Sequence, residues 1–288
     1  MKTQTLPTLD LQGNDQIALV DSMGNHLIKY GAFILRNHGI PLPLIERCYA
    51  LGRQFFDLPY EQQKPYVIVD DGFVTGFSPM FSERAAGATV ADGKRFWNQH
   101  RRYPGHTYHV PKEILGFGDA LTSFYEEFDR LVKILFTNVC SFLGKPDLAS
   151  IVDYGDHLVR LIDYPEVIGD AKYVRAAKHR DINLLTGLFG HKHEVGGLHI
   201  LTHEGQIIEV QHDPADMVIQ SGIMLDLITK GEIRATEHWV VNRPERRLKL
   251  AAFGHPQREA VIGQKNDQPY TAGEALLEVL AQINSPVA

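Results

Sequence analysis

In the stretch AAKHRDINLLTGLFG, residues 176–190, a histidine and an aspartate stand two apart, His179 and Asp181, ahead of a run too apolar for a loop. Read as a strand, residues i and i+2 share a face. The imidazole and the carboxylate then project together, with Asn183 and Leu185 following them and Arg180 and Ile182 turned away. A buried ionised aspartate is costly unless it is paired or bound to a metal, and a metal would account for both side chains at once. A third ligand is then expected on a neighbouring strand, and ATEHWVVNRPE supplies His238 on a second β-like run. Two histidines and one carboxylate that leave coordination positions open form the facial set of non-haem Fe(II) centres. On residue types alone the pair is also compatible with a simple hydrogen-bonded couple, since H-x-D is short and the chain holds 14 histidines. The surrounding elements must decide.

A chain of 288 residues, 44% hydrophobic and 22% charged, has room for one large domain or two small ones with ample core. A net charge of −6 argues against a nucleic-acid binder, which would carry a basic excess. Cys48 and Cys140 are too few for a disulfide framework and fall within apolar helical patterns, so buried free thiols are expected. The start, MKTQTLPTLDLQGNDQ, lacks the apolar core of a signal peptide. No apolar run approaches the ~20 residues of a membrane helix. The expectation is a cytoplasmic protein without membrane or nucleic-acid partners.

The first third reads as mixed and largely helical. GAFILRNHGI holds a short strand at 32–35 closed by a turn at Asn37–Gly39, and Pro41 and Pro43 open a helix with Leu44, Cys48, Leu51 and Phe55 on one side. DLPYEQQK breaks that helix, and residues 70–92 read as a long surface loop with short strands. Between Asp119 and Gly144, the residues Leu121, Phe124, Phe128, Leu131, Leu135, Val139 and Phe142 recur at steps of three and four. That spacing predicts a scaffold helix stopped by Gly144 and Pro146. After Asp156 the period becomes two: HLVRLIDYP, NLLTGLFG, GGLHILTHEGQIIEV, DMVIQSGIMLDLITKG, ATEHWVV and RLKLAAFGHP predict at least six short strands, in the spacing of a sandwich or jelly roll. A last helix begins at TAGEALLEVL behind a Thr271–Glu274 capping box.

In order along most of its length the chain resembles the isopenicillin N synthase-like family of 2-oxoglutarate and iron-dependent oxygenases. YGAFILRNHGIP with FFDLPYEQQK is similar to the family's N-terminal region. LIDYP resembles its tyrosine-proline strand, HRDINLLT its His-x-Asp strand, and GGLHILTHEGQIIEV the hairpin that follows. GIMLDLITKGEIRATEHWVVN resembles the glycine-led turn into the distal histidine, and RRLKLAAFGHP the strand of the co-substrate arginine. The resemblance implies a mainly β fold with flanking helices, a double-stranded β-helix (jelly roll). It implies one domain over 1–288, with an N-terminal mixed helical region at 1–110 and the jelly-roll core at 155–260.

Carried over by residue, the resemblance implies that His179, Asp181 and His238 bind Fe(II). Arg247 would grip the 2-oxoglutarate C5 carboxylate, for which a guanidinium is a bidentate match, and Tyr164 would hydrogen-bond the same acid. Lys249 stands where the family has a serine, and period two keeps it on the face of Arg247, so it joins the co-substrate set. Arg160 shares a strand face with Ile162 and Tyr164, and with Asn183 and Phe253 is expected to line the substrate space. Asp181 is retained where family halogenases carry a small residue. The implied reaction is therefore oxidation of a small organic molecule by O2 with 2-oxoglutarate as co-substrate, through hydroxylation, desaturation or cyclisation. An oxidase of the same fold without 2-oxoglutarate and a non-catalytic binding protein are the alternatives.

Two further stretches invite chemistry. HKHEVGGLHILTH offers His191, His193, His199 and His203, read as turn and hairpin residues in preference to a second metal site. GKRFWNQHRRYP gathers Lys94, Arg95, His100, Arg101 and Arg102 around Phe96 and Trp97, either a solvated face or a contact for an anionic substrate. No glycine-rich phosphate loop or nucleophile elbow is present.

Overall fold

The chain opens with strand β1 (Thr8–Asp10), helix α1 (Gln16–Tyr30), strand β2 (Ala32–Arg36) and helix α2 (Leu42–Asp57). The single turn α3 (Tyr60–Gln63), strands β3 (Gly76–Ser78) and β4 (Arg95–His100) and the long helix α4 (Phe117–Phe142) follow. Strands then dominate: β5 (Leu158–Tyr164), β6 (Ala176–His179), β7 (Leu185–Phe189), β8 (Leu198–Leu201), β9 (Ile207–Glu209) and β10 (Met217–Ser221). Helix α5 (Ile223–Thr229), strands β11 (Glu237–Val240), β12 (Arg247–Gly254), β13 (Val261–Lys265) and β14 (Gln268–Thr271), and helix α6 (Ala272–Ile283) complete it. This computed structural model describes residues 5–13, 15–67, 75–85, 88–101, 109–166, 174–191 and 196–283.

The local signals explain the elements. In α4 the three-and-four spacing buries Leu121, Phe124, Phe128, Leu131, Leu135 and Val139 along one stripe. The helix ends where Gly144 takes a φ of +65°, a conformation glycine adopts without steric cost. At the start of α6 the capping box closes as expected: Glu274 accepts from the Thr271 N–H at 2.8 Å, and the Thr271 hydroxyl accepts from the Glu274 N–H at 3.3 Å.

A large sheet runs in the order β1-β2-β10-β7-β12-β5-β4-β3, and a small one in the order β6-β11-β8-β9. Period two sorts the large sheet's side chains into two layers. Val159, Leu161, Leu248, Leu250 and Ala252 join the core with α1, α2 and α4. Ile162, Leu188, Val218 and Ala251 point the other way and meet Ala176, Leu198, Ile200 and Val240 of the small sheet. Two facing sheets with helices covering the outer face of one make the double-stranded β-helix, and the space between the sheets is where a site can be enclosed. No helix of the described residues is long and apolar enough to cross a membrane.

Two local expectations change. His179 and Asp181 do not share a strand. β6 ends at His179, and the chain crosses from the small sheet to the large one through residues 180–184 before β7. The backbone there is committed elsewhere: the carbonyls of Asp181, Ile182 and Leu184 accept from the N–H groups of Ile223, Met224 and Gly222 at 2.8, 3.0 and 2.9 Å. The basic stretch around Trp97 is no solvated face. It is β4, inside the large sheet, with Trp97 fully buried and Arg95 bonded to the Asp163 carboxylate at 2.8 Å. Arg102 lies outside the described residues.

Candidate metal centre and its cavity

β6 and β11 pair antiparallel with His179 directly opposite His238, so the two imidazoles leave neighbouring positions of the small sheet. Their ring centroids are 4.2 Å apart. Each ring is held by the same local device. The His179 Nδ1 lies 2.7 Å from the Ala177 carbonyl and the His238 Nδ1 3.2 Å from the Thr236 carbonyl, both two residues back along the strand. A carbonyl at that nitrogen fixes the tautomer with Nδ1 protonated and directs the Nε2 lone pair away from the backbone.

Both Nε2 atoms face Asp181. Its Oδ1 stands 3.6 Å from the His179 Nε2 and 3.7 Å from the His238 Nε2. Its Oδ2 is already occupied, accepting from the Thr186 hydroxyl at 2.6 Å and from the Gln220 amide at 2.8 Å. The triad therefore offers two nitrogens and one oxygen within 4.8 Å of one another, the only such group of three among the described residues. Burial alone would raise the Asp181 carboxyl. The imidazoles of His238 and His179 and the Thr186 hydroxyl outweigh it and hold the group well below the usual carboxylate range. Burial, with the neighbouring His179, pushes His238 down to about 4. Burial alone would lower His179, but the Asp181 carboxylate outweighs it and holds that imidazole above its ordinary value, so its proton must leave as a divalent cation binds. Two imidazole nitrogens and an ionised carboxylate are a donor set that fits Fe(II).

The triad opens on a cavity of about 480 Å³ between the sheets. On the large-sheet side, Arg247, Lys249, Ala251 and Phe253 of β12 line it, opposite Arg160, Ile162 and Tyr164 of β5. Arg247 is paired with Tyr164 and Lys249 with Ile162 across the two strands. The Arg247 guanidinium carbon lies 5.9 Å from the Tyr164 ring centre. Arg247 and Lys249 are 4% and 3% exposed, two cations inside one wall. Their neighbour Arg246 points to the opposite face, where it bonds the fully buried Asp163 at 2.6 Å and also meets Asp57.

Arg160 faces inward, as its strand phase predicts. Its Nη1 and Nη2 bond Glu83 at 2.9 and 3.0 Å, its Nε bonds Asn98 at 2.8 Å, and it stacks 3.9 Å above the Phe96 ring. Lys94 bonds Asp92 at 2.9 Å and lies 3.3 Å from Glu83. Asn183 does not line the cavity. It is fully buried, and its amide bonds the Leu185 carbonyl at 2.7 Å and the Thr186 hydroxyl at 3.0 Å, fastening the 180–184 crossing. Of the other histidines, His199 stacks on Trp239 and His203 bonds the Ile28 carbonyl at 3.0 Å. His191 packs on Tyr49, and His193 lies outside the described residues.

Thr186, Gln220, Glu83 and Asp92 are site residues that the pattern reading did not single out. A signal was available for the first two, a polar residue set among the apolar residues of LLTGLF and MVIQSGIML. Such a residue, once buried, must find a partner. Glu83 and Asp92 sit in irregular chain with no period to place them.

Residues 6–114 match the profile of the N-terminal region of non-haem dioxygenases of morphine synthesis, and residues 149–256 that of the 2OG-Fe(II) oxygenase superfamily. Among curated proteins, the mugineic-acid 3-dioxygenase of Hordeum vulgare is 28% identical over 90% of this chain and 76% of its own length. The flavanone 3-dioxygenase 2 of Oryza sativa subsp. japonica is 27% identical over 90% and 75%. Among solved structures, a 2OG-Fe(II) oxygenase family protein of Caulobacter crescentus superposes with a TM-score of 0.84 at 26% identity, covering 96% of this chain and 99% of that one. A full-length Neurospora crassa protein in complex with alpha-KG superposes with a TM-score of 0.83 at 23% identity, covering 96% of each chain.

Proposed function

The chain belongs to the 2OG-Fe(II) oxygenase superfamily and is a non-haem Fe(II)- and 2-oxoglutarate-dependent dioxygenase; from that premise we propose that His179, Asp181 and His238 hold the metal and that Arg247, Lys249 and Tyr164 hold the co-substrate. What supports the metal assignment is that two imidazole nitrogens and one carboxylate oxygen lie within 4.8 Å of one another, while the Nδ1 atoms of both histidines and the Asp181 Oδ2 are turned to other partners. When bound, Fe(II) and 2-oxoglutarate would supply the oxidising chemistry: one oxygen atom of O2 would go to succinate as CO2 leaves, and the other to the substrate in hydroxylation or to water in desaturation or cyclisation.

The remaining work falls to the chain. Arg247 presents a planar fork matched to the C5 carboxylate. Lys249 adds a point charge on the same face, and the Tyr164 hydroxyl adds a donor. Arg160 and Phe253 form part of the wall against which the substrate is held, and the enclosing sheets exclude water. Hydroxylation, desaturation or cyclisation of a small organic molecule is the reading. Asp181, a carboxylate where halogenation would need a small residue, favours these outcomes. We read residues 1–288 as one domain, since β1 to β4 of the N-terminal region share a sheet with β5, β7, β10 and β12 of the core. A cytoplasmic location accords with the two buried free thiols, Cys48 and Cys140, and a small-molecule partner rather than nucleic acid accords with the net charge of −6.

Anaerobic titration with Fe(II), with and without 2-oxoglutarate, tests the assignment. A visible metal-to-ligand charge-transfer band is expected only when both are present, and His179→Ala or His238→Ala should remove most bound iron while the fold survives. Full metal content in both variants would refute the ligand set.

A further inference from the structure

The cavity mouth carries charge and apolar surface that neither the metal nor the co-substrate reading uses. Helix α6 lies across it and presents Leu276, Val279, Leu280 and Ile283 to the cavity, a stripe at i, i+3, i+4 and i+7 that stays only half-buried. Half-buried apolar side chains on a helix facing a cavity are surface for a ligand to cover. The helix is tied to the opposite rim by its last turn, where the Ile283 carbonyl accepts from the Arg84 N–H at 3.3 Å.

Arg84 itself lines the cavity and is half-buried, yet among the described residues its guanidinium has no ion pair or side-chain hydrogen bond. The adjacent Glu83 does not neutralise it, because both Glu83 oxygens are engaged by Arg160 and Lys94. With Asp92, that inner cluster balances two cations against two carboxylates. The rest of the rim is basic as well: Lys178 and Arg180 share the single carboxylate of Glu237, at 3.1 and 3.9 Å. Arg84, Lys178 and Arg180 against Glu237 leave the mouth positive on a chain whose net charge is −6. A local field of the opposite sign to the whole molecule concentrates anions at that opening.

Resting on the reading that Arg247 and Lys249 receive 2-oxoglutarate, we propose that the substrate is an amphipathic organic anion, its apolar body covered by the α6 stripe and its acidic group held at the mouth by Arg84. Arg84 is then a specificity-determining residue, with α6 as the apolar half of the same site.

The probes are 3-phenylpropionate and its neutral near-isostere 3-phenylpropionamide, titrated anaerobically by calorimetry into full-length protein loaded with Fe(II) and 2-oxoglutarate. The wild type should prefer the carboxylate by about tenfold or more, the range expected for a charged hydrogen-bond partner. Arg84→Gln should reduce that preference to about twofold or less, Arg84→Lys should keep most of it, and both should bind 2-oxoglutarate as the wild type does. Leu280→Ser should weaken both probes about fivefold and leave their ratio intact. Equal binding of the two probes by the wild type, binding of neither, or a preference that survives Arg84→Gln would overturn the proposal. So would an Arg84→Gln variant that loses 2-oxoglutarate affinity instead, which would assign the rim to the co-substrate. A wild type that develops no charge-transfer absorbance with Fe(II) and 2-oxoglutarate would refute the reading beneath it, a result separable from any probe titration.

Discussion

A Cβ on Gly222 would stand 2.1 Å from the carbonyl oxygen of Asn183. Gly222 leads α5, and Asn183 sits in the crossing that carries Asp181, so the closeness of these two backbones sets where the carboxylate stands. Gly222→Ala should force the crossing outward, because neither backbone can yield as a flexible side chain would. Overpacking of this kind costs about 1–3 kcal/mol. Denaturant unfolding should show that loss, and Fe(II) affinity should fall by about tenfold. A variant with wild-type stability and affinity would show that the contact is relieved elsewhere.

The hydrogen bonds to the Asp181 Oδ2 orient the carboxylate without touching a metal. Removing such a support typically lowers metal affinity about 10–100-fold. Thr186→Val, which keeps the shape and deletes the hydroxyl, should do so, and Thr186→Ser should restore most of it. Competition with a metal-sensitive chelating dye measures both.

Arg247→Ala should raise the KM for 2-oxoglutarate by an order of magnitude or more, since a charge-assisted hydrogen bond is worth about 1.5–3 kcal/mol. Lys249→Ser should still turn the co-substrate over, with weaker binding. Arg246→Ala is the control: its guanidinium serves Asp163 on the other face, so it should lower stability and leave that KM unchanged.

Acid should destabilise the fold before any carboxylate titrates. Burial pushes His255 and His100 down to about 4, with His157 adding to the effect on His255 and Asp156 opposing it in both. Unfolded, both would titrate near 6.5. Between these values the unfolded chain takes up protons that the folded one refuses, so stability falls as pH drops through that window, at up to about 1.4 kcal/mol per pH unit for each histidine. Urea unfolding at pH 7, 5.5 and 4.5 reads the slope, and His255→Asn should flatten it. An unchanged slope would assign the acid sensitivity to other groups.

Where period governs placement, the sequence was legible. The stripe of α4, the alternation that sends Arg247, Lys249 and Phe253 to one side of β12, and the capping box at Thr271 all follow from spacing. Asn183 breaks that logic because strand phase does not continue through residues 180–184, which change sheets. Glu83 reaches Arg160 from irregular chain, and only tertiary packing brings them together. The partners of Asp181 were hidden differently: Thr186 and Gln220 lie on separate strands, and no one-dimensional pattern states that β7 and β10 are adjacent.

The opposed directions of Arg246 and Arg247 bear on how β12 finds its place. Two consecutive arginines make the strand's charge pattern nearly degenerate under a one-residue slip, because an arginine would still face the cavity and another would still reach Asp163. Lys249 removes the degeneracy. In the slipped pairing its ammonium would enter the layer now filled by Leu248 and Leu250 against the helices, where an unpaired charge is most costly. The residue that departs from the family pattern thus adds to the penalty on a competing register, beside Leu248 and Leu250, which the slip would turn into the cavity.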